Sequence, residues 1–212
     1  MNEYHKIQTV FKRDPTNEFK TLLIGQYACP EFEYLRKNTW VYTEKVDGTN
    51  IRIMWDSTLA IGGKTEKAQM QPPMIEWFEQ SLKPKEKLFA ELFPDAMEAP
   101  VCLYGEGFGP KIQKGGKYTK THGVILFDIK IGHWWLKRAD VEELAAKLGL
   151  PTVPIIGLGT LEDMVDAVRG GIGSAWGDFP AEGIVARPAV ELRARSGQRI
   201  ITKIKHRDFE RY

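Results

Sequence analysis

The stretch TEKVDGTNIRIMW, residues 43–55, places a lysine beside a short glycine turn and then continues as an extended segment. Lys45 stands between two acids, and Gly48 follows within the same turn. From residue 50 onward the apolar side chains alternate and share one face, formed by Ile51, Ile53 and Trp55. The stretch therefore predicts a strand whose entry holds a primary amine among carboxylates.

The same alternation recurs farther along the chain. Strand-like runs are VCLYGE (101–106), GVILFDIK (123–130), GIVARP (183–188) and RIITKIKH (199–206), and ELRARSGQRI indicates a hairpin turned at Ser196-Gly197. Helical spacing predicts three helices, over 72–82, 139–150 and 160–171. Strands outnumber helices in this pattern. It indicates an α+β fold dominated by antiparallel sheet.

Helix boundaries follow from polar and glycine residues at the ends of the periodic segments. We predict that Asp140 caps the second helix and Gly149 stops it, while Thr160 caps the third and Gly170 ends it. Residues 1–35 are mixed in pattern and predict an N-terminal extension of loops and short helices packed on the body.

Length and composition favour one globular domain. The chain has 212 residues, 42% apolar and 27% charged, and no linker or repeat marks a boundary, so we predict a single domain over 1–212. No stretch approaches the roughly 18 apolar residues of a membrane span, and no signal peptide is recognisable. Cys29 and Cys102 fit a reducing interior rather than a disulfide scaffold. We expect a cytoplasmic protein that binds no membrane.

Charge gives no global signal for a nucleic-acid partner, since the net charge is only +2. Two local clusters are basic: GPKIQKGGKYTK (109–120) and the terminal KIKHRDFERY (203–212). The lysines of the first cluster fit a nucleic-acid contact and a solvated surface equally well.

Charged residues on strand faces carry the functional signal. Period two places Lys203 and Lys205 side by side on one strand face, and Tyr104 and Glu106 on another. Glu182 stands at the mouth of an apolar strand, directly before a glycine. Lysines and acids gathered at strand ends are what a cleft needs to hold a metal-bound triphosphate.

Six ordered motifs then resemble a known superfamily. Lys45-x-Asp47-Gly48-x-Asn50 is followed by GGKT (62–65), LYGEGFG (103–109), LFDI (126–129), AEGIVAR (181–187) and ITKIKH (201–206). In this order they resemble the covalent nucleotidyltransferases, which comprise DNA ligases, RNA ligases and mRNA capping enzymes. Asn50 stands where DNA ligases usually have arginine, so the chain is most similar to ATP-dependent RNA ligases of the small phage type.

The resemblance implies a fold and an activity. The expected fold is a nucleotidyltransferase (ATP-grasp-like) domain of antiparallel sheets flanked by helices, with a cleft between sheets and no C-terminal oligonucleotide-binding (OB) domain. The expected activity is ATP-dependent joining of RNA 5'-phosphate and 3'-hydroxyl ends, as in RNA repair, through lysyl-AMP and adenylated RNA. The expected protein is a monomer, and it works in the host cytoplasm if a phage encodes it.

The resemblance also assigns roles to lysines. Lys45 is implied as the nucleophile that attacks the α-phosphate of ATP. Lys203 and Lys205 are implied as further catalytic residues that neutralise this phosphate. Asn50 and Lys64 are implied to orient the departing pyrophosphate, although many RNA ligases have arginine in place of Lys64.

Nucleotide and metal contacts are implied in the same way. Glu44 would contact the adenine amino group, Phe127 would stack on the adenine, and Glu106 would contact the ribose. The metal ligands would be Asp47, Glu106 and Glu182, around Mg²⁺ or Mn²⁺; Glu182 also counts among the residues that bind the nucleotide.

Three other functions remain open from the sequence. A minimal DNA ligase and a GTP-using capping guanylyltransferase would share the chemistry, whereas a non-catalytic nucleic-acid-binding module would share only the cleft. The natural RNA substrate, whether a nick, a tRNA loop or single strands, also stays open.

Overall fold

A computed structural model describes residues 3–210 and shows a mixed α+β protein. The strands in this range are β1 (Gln8–Thr9), β2 (Phe11–Arg13), β3 (Leu22–Tyr27), β4 (Trp40–Glu44), β5 (Thr49–Trp55), β6 (Leu59–Gly62), β7 (Val101–Phe108), β8 (Gly123–Ile131), β9 (Trp134–Trp135), β10 (Ile155–Gly159), β11 (Gly183–Pro188) and β12 (Thr202–Lys205). The α-helices are α1 (Pro30–Tyr34), α2 (Pro72–Trp77), α3 (Glu86–Leu92), α4 (Arg138–Leu148) and α5 (Leu161–Gly170).

Short helical turns join several of these elements. A π-helical segment, Phe78–Leu82, continues α2, and 3-10 turns occupy Pro15–Asn17, Lys83–Lys85, Gly115–Lys117 and His206–Asp208. Over residues 3–210, none of the helices combines the length and the apolar character that crossing a lipid bilayer requires.

The chain forms two compact units, each built from separated stretches of sequence. Among the described residues, the first unit comprises 3–5 and 47–153, and the second comprises 6–46 and 154–210. The assignment of residues 1–212 to one nucleotidyltransferase domain stays a prediction.

The first unit contains a five-stranded antiparallel sheet in the order β6-β5-β7-β8-β9. One face of β5 is buried as the alternation predicted, since Ile51, Ile53 and Trp55 are at most 5% exposed. These side chains pack in one core with residues of α2, α3 and α4, such as Met74 and Phe89. The helices therefore cover one face of this sheet, while Asn50, Arg52 and Glu106 lie on the other.

The second unit contains a five-stranded sheet in the order β1-β12-β11-β4-β10, beside a separate β2-β3 hairpin. Only the β1–β12 pair is parallel within this sheet. Trp40 and Tyr42 of β4, Ile184 of β11 and Ile204 of β12 pack with Met164 and other residues of α5 in a second core. By strand alternation, Thr43, Val185, Lys203 and Lys205 face the opposite side.

Most predicted elements are confirmed. The five predicted strands are β5, β7, β8, β11 and β12, and the predicted helix over 72–82 is α2 with its π-helical continuation. The hairpin at Ser196-Gly197 is confirmed as well: Gly197 has a φ of 83°, and the Ala194 N–H donates to the Gln198 carbonyl at 2.8 Å. Antiparallel sheets and flanking helices confirm the α+β class.

Some boundaries were wrong. Lys137 is the N-cap of α4, whereas Asp140 lies inside its first turn; Gly149 is its C-cap, as predicted. Thr160 caps α5 through a capping box with Asp163, and the helix ends at Gly170, as predicted, with Gly171 as its C-cap. The helix α3 was not predicted.

The N-terminal prediction was incomplete. The described part of residues 1–35 contains the strands β1, β2 and β3 as well as short helices, and residues 1 and 2 lie outside the described range. Two of these strands are only two or three residues long. Such short strands show no alternation, because alternation needs four or more residues to be visible.

Candidate active site

The centre of the site in the second unit is one glutamate shared by two lysines. Lys45 Nζ lies 2.6 Å from Glu182 Oε2, and Lys205 Nζ lies 2.5 Å from Glu182 Oε1. The three side chains are only 12–19% exposed. One carboxylate therefore holds two ammonium groups in a partly dry environment, where such pairs are stronger than at the surface.

Strand pairing brings these three residues together. Gly183 of β11 lies opposite Lys205 of β12, and the Lys45 N–H donates to the Gly183 carbonyl at 3.0 Å. Glu182 immediately precedes the first residue of β11, so it reaches Lys45, which follows β4, and Lys205, at the end of β12. Lys203, two residues before Lys205, lies opposite Val185 and shares the face of Lys205.

The pair of lysines changes the acidity of Glu182. Burial alone would raise the pKa of this carboxyl, but the positive charges of Lys45 and Lys205 and their hydrogen bonds outweigh burial, and the pKa lies below its usual value of 4.5. Glu182 is therefore an anion throughout the neutral pH range.

Glu44 is the most buried of the predicted nucleotide-binding residues. It is 1% exposed, its Oε1 accepts from Ser174 Oγ at 2.6 Å, and its Oε2 accepts from the Ala175 N–H at 2.8 Å. Both carboxylate oxygens are thus fixed by the segment that follows α5. Alternation along β4 directs Glu44 and Lys45 to opposite sides of the chain.

In the first unit, Asn50 of β5 and Glu106 of β7 are direct cross-strand partners. Paired side chains on adjacent strands point to the same face, so the two polar groups lie side by side. Asn50 Oδ1 is buried, and within residues 3–210 it has no hydrogen-bond partner. A buried amide oxygen of this kind is suited to accept a hydrogen bond from a ligand.

The turn after Lys45 is held by a close backbone approach. A Cβ at Gly48 would lie 2.2 Å from the Gly107 carbonyl oxygen, so only glycine fits there. The Asp47 N–H donates to Tyr118 Oη at 2.9 Å. Gly48 and Gly107 therefore fix the position at which the polar edge of β5 begins.

Lys64 is exposed and follows a segment fixed by a buried arginine. Arg52 of β5 is 2% exposed, and its Nε donates to the Gly63 carbonyl at 2.8 Å. The pairing of Arg52 with Gly62 on β6 brings the GGKT segment to this arginine. The backbone before Lys64 is thus fixed, while its side chain reaches solvent.

Phe127 is half-buried and belongs to an aromatic cluster in the first unit. Its ring packs edge-on against Tyr4, with centroids 5.0 Å apart, and Tyr4 also contacts Tyr104 and Trp135. Tyr4 Oη donates to the buried Asp128 at 2.5 Å. This cluster fixes the strand region that carries Phe127.

The predicted site residues therefore fall into two sets. Glu44, Lys45, Glu182, Lys203 and Lys205 belong to the second unit, and the structure brings Lys45, Glu182 and Lys205 into contact.

Asp47, Asn50, Lys64, Glu106 and Phe127 belong to the first unit, where Asn50 and Glu106 are neighbours. Among residues 3–210, no group of three or more His, Cys, Asp or Glu side chains is arranged to hold a metal ion. The set Asp47, Glu106 and Glu182 stays a prediction.

Sequence reasoning missed several supporting residues. Ser174 holds Glu44, Tyr118 holds the Asp47 backbone, and Arg52 holds Gly63. Asp208, 4% exposed, accepts from the Lys205 N–H at 3.1 Å and from Arg13 Nη2 at 2.8 Å. Arg52 had a sequence signal, since it is a charged residue inside a strand. The contacts of Ser174 with Glu44, of Tyr118 with Asp47 and of Asp208 with Arg13 join residues far apart in sequence and leave no local pattern.

Solved structures identify the fold. A point mutant of Naegleria gruberi RNA ligase without ligand superposes with a TM-score of 0.63 at 18% identity, covering 100% of this chain and 60% of that one. Another mutant of the same ligase, with ATP and Mn, gives 0.65 at 16% identity over 97% of this chain and 56% of that one. A third, with AMP and Mn, gives 0.63 at 17% identity over 100% and 60%. The protein therefore has the nucleotidyltransferase fold of RNA ligases, and it spans about 60% of the length of these structures.

The family follows from the sequence itself. The model of the RNA ligase family matches residues 38–205, which include every predicted site residue. This chain belongs to the RNA ligase family. No curated protein matches it by sequence.

Proposed function

We propose that this protein is an ATP-dependent RNA ligase that joins 5'-phosphate and 3'-hydroxyl ends. The observation that carries the proposal is the bridge from Glu182 to both Lys45 and Lys205, because these residues stand in three separate motifs of the family. Relatives with the same fold have been solved with ATP and Mn or with AMP and Mn, which supports ATP and a divalent metal as cofactors.

In the first step, the amine of Lys45 attacks the α-phosphorus of ATP. A nitrogen–phosphorus bond forms, the bond from the α-phosphorus to the bridging oxygen breaks, pyrophosphate leaves, and the attacking amine gives up one proton to solvent and keeps the other. Lys45 Nζ lies 2.6 Å from Glu182 Oε2, so this contact must break before the amine can attack. Lys205 still holds Glu182 in place when Lys45 moves away.

The later steps use the same lysines. An oxygen of the RNA 5'-phosphate attacks the phosphorus of lysyl-AMP, the nitrogen–phosphorus bond breaks, and Lys45 recovers a proton. The 3'-hydroxyl then attacks the 5'-phosphate, loses its proton, and displaces AMP. Lys203 and Lys205 stabilise the negative charge that grows on phosphate oxygens in these transition states.

The predicted metal ligands have suitable chemistry. Asp47, Glu106 and Glu182 supply carboxylate oxygens, which Mg²⁺ and Mn²⁺ prefer, and Glu182 is ionised at neutral pH. A bound metal would supply positive charge against the phosphates.

The other proposed contacts follow the placement of each side chain. Glu44, Phe127 and Glu106 would recognise the nucleoside, and Asn50 with Lys64 would orient the pyrophosphate. The buried, unpaired Oδ1 of Asn50 supports a ligand contact at that strand edge.

The decisive experiment tests Lys45→Ala with α-labelled ATP and Mg²⁺. Wild-type protein should become labelled by acid-labile AMP, and Lys45→Ala should not. Lys37→Ala, an exposed lysine of the second unit outside the site, is the matched control and should label like wild type. Labelling of Lys45→Ala would show that another residue is the nucleophile.

Substrate choice needs a separate assay. Nicked duplexes with RNA or DNA on the 3'-hydroxyl side separate an RNA ligase from a minimal DNA ligase, and α-labelled GTP against ATP tests for a capping enzyme. Binding of nucleic acid without labelling would indicate a non-catalytic module. The small phage type, the monomeric state and the cytoplasmic location stay predictions from the sequence.

A further inference from the structure

A groove of about 680 Å³ lies in the second unit beside the two lysines of β12. Its basic lining consists of Lys6, Lys12, Arg13, Lys203, Lys205 and Arg207. The groove therefore begins at residues of the proposed active site and extends over the N-terminal strands.

The lining is strongly basic. Six of its residues are lysine or arginine and none is an acid, although the whole chain has a net charge of only +2. Lys6, Lys12 and Arg207 are exposed and form no salt bridge with any residue in the described range 3–210. Cations without local counter-charges attract a polyanion most strongly.

Strand pairing fixes the direction of the groove. Thr9 of β1 lies opposite Lys203 of β12, so the lysine face of β12 continues onto β1. Lys12 and Arg13 of the next strand, β2, also line the groove. Asp208 ties Arg13 of β2 to the Lys205 backbone. The basic side chains thus have a rigid connection to the catalytic strand.

The groove also contains an exposed aromatic ring. Phe19 is 59% exposed, and Ile7, Phe11 and Leu23 provide further apolar lining. Basic side chains that follow a backbone, interleaved with aromatic rings on which bases stack, are typical of sites for single-stranded nucleic acid.

We propose that this groove binds the phosphodiester backbone of the RNA substrate and leads its end to Lys203 and Lys205, with Phe19 stacking on a base. The proposal rests on the proposed function, because that function identifies RNA as the polyanion. The phosphates of ATP share the same chemistry. However, the cations lie before β1, on β2, on β12 and just beyond β12, and one triphosphate does not need an aromatic platform.

RNA binding is measured by fluorescence anisotropy of a labelled, 5'-phosphorylated single-stranded RNA, without ATP and with EDTA. The double variant Lys6→Ala/Lys12→Ala should bind on the order of 10- to 30-fold more weakly at about 0.1 M monovalent salt. The slope of log affinity against log salt should fall in magnitude by about 1.4, since each lost phosphate contact contributes about 0.7.

The matched control is Lys37→Ala/Arg195→Ala, which removes two exposed positive charges of the same unit outside the groove. It should bind RNA like wild type. Phe19→Ala should weaken binding about 5- to 100-fold with little change of the salt slope, because stacking is not ionic. Lys6→Arg/Lys12→Arg should retain binding.

Labelling with ATP shows whether the groove binds the phosphates of RNA or those of ATP. Lys6→Ala/Lys12→Ala should form lysyl-AMP at the wild-type rate. Loss of labelling by Lys6→Ala/Lys12→Ala with unchanged RNA affinity would show that the groove serves ATP, and would overturn the proposal. Equal loss of RNA affinity by the control Lys37→Ala/Arg195→Ala would show non-specific attraction, and would overturn it too, as would unchanged RNA affinity of Lys6→Ala/Lys12→Ala. If wild-type protein forms no lysyl-AMP but the groove variant still loses RNA affinity, the groove stands and the proposed activity fails.

Discussion

Glu182 holds two ammonium groups with a single carboxylate, and this arrangement has a cost when the carboxylate is removed. In Glu182→Ala, Lys45 and Lys205 lose their carboxylate partner in a site where they are 16–19% exposed. Removing one partner of a buried pair leaves charge uncompensated, so the free energy of unfolding should fall by about 1–3 kcal/mol. Urea denaturation measures this loss, and Glu143→Ala, which breaks an exposed helix pair with Lys147, should cause no measurable change.

The contribution of Glu182 should depend on pH in one direction. Its pKa is lower in the folded protein than the usual 4.5, so its stabilisation is present above that pH and is lost as pH falls through the lowered value. The stability difference between wild type and Glu182→Gln should therefore shrink below about pH 4.5. A difference that stays constant down to pH 3 would contradict the salt bridges.

At the residue scale, the sequence identifies the charged groups but not their supports. Alternation along residues 50–55 places Arg52 opposite the apolar face, yet it says nothing about burial, and Arg52 is 2% exposed against Gly63. Ser174 and Asp208 contact residues that are 130 and 3 positions away along the chain. The contact between Ser174 and Glu44 depends on the tertiary structure, because no local periodicity encodes a contact between residues 130 positions apart.

At the scale of elements, the approach of β11 to β12 depends on Gly183. A Cβ at this position would lie 2.1 Å from the Ile204 carbonyl oxygen and 2.8 Å from the Lys205 Cα. Gly183→Ala should therefore push the two strands apart, displace Lys205 from Glu182, and lower the unfolding free energy by about 2–4 kcal/mol. Lysyl-AMP formation should fall with it.

Gly173→Ala is the matched control for this prediction. It lies in the same unit, and a Cβ there meets no atom within 4 Å. Urea denaturation and ATP labelling of both variants separate a strand-specific clash from a general effect of replacing glycine. Equal stability of Gly183→Ala and Gly173→Ala would show that β11 and β12 can adjust without loss.

Elements were predictable where their signal was local. Thr160 with Asp163 forms the capping box that α5 needed, and the apolar spacing of residues 161–170 marked its length. The helix α4 has no side-chain cap at Lys137, so its start could not be read from a polar residue. The short strands β1 and β2 exist because longer strands pair with them, which is information that the sequence of residues 8–13 lacks.

At the scale of the whole molecule, the N-terminal segment contributes to both units. Tyr4 lies in the first unit, 7% exposed, with its hydroxyl on Asp128 and its ring among four aromatic side chains. Gln8 and Thr9 lie in the second unit, where they form the edge of the sheet beside β12. Each unit is therefore completed by residues that are distant in sequence from most of it.

Deleting residues 1–9 should destabilise the protein rather than trim a passive tail. The deletion removes a buried tyrosine with its hydrogen bond and leaves β12 without its parallel partner, so the free energy of unfolding should fall by at least about 3 kcal/mol. Tyr4→Phe keeps the ring and loses only the hydrogen bond from the hydroxyl to Asp128, so the free energy of unfolding should fall by about 1 kcal/mol. Urea denaturation of the three proteins measures both losses. A deletion variant as stable as Tyr4→Phe would mean that β1 adds nothing to the sheet that carries Lys203 and Lys205.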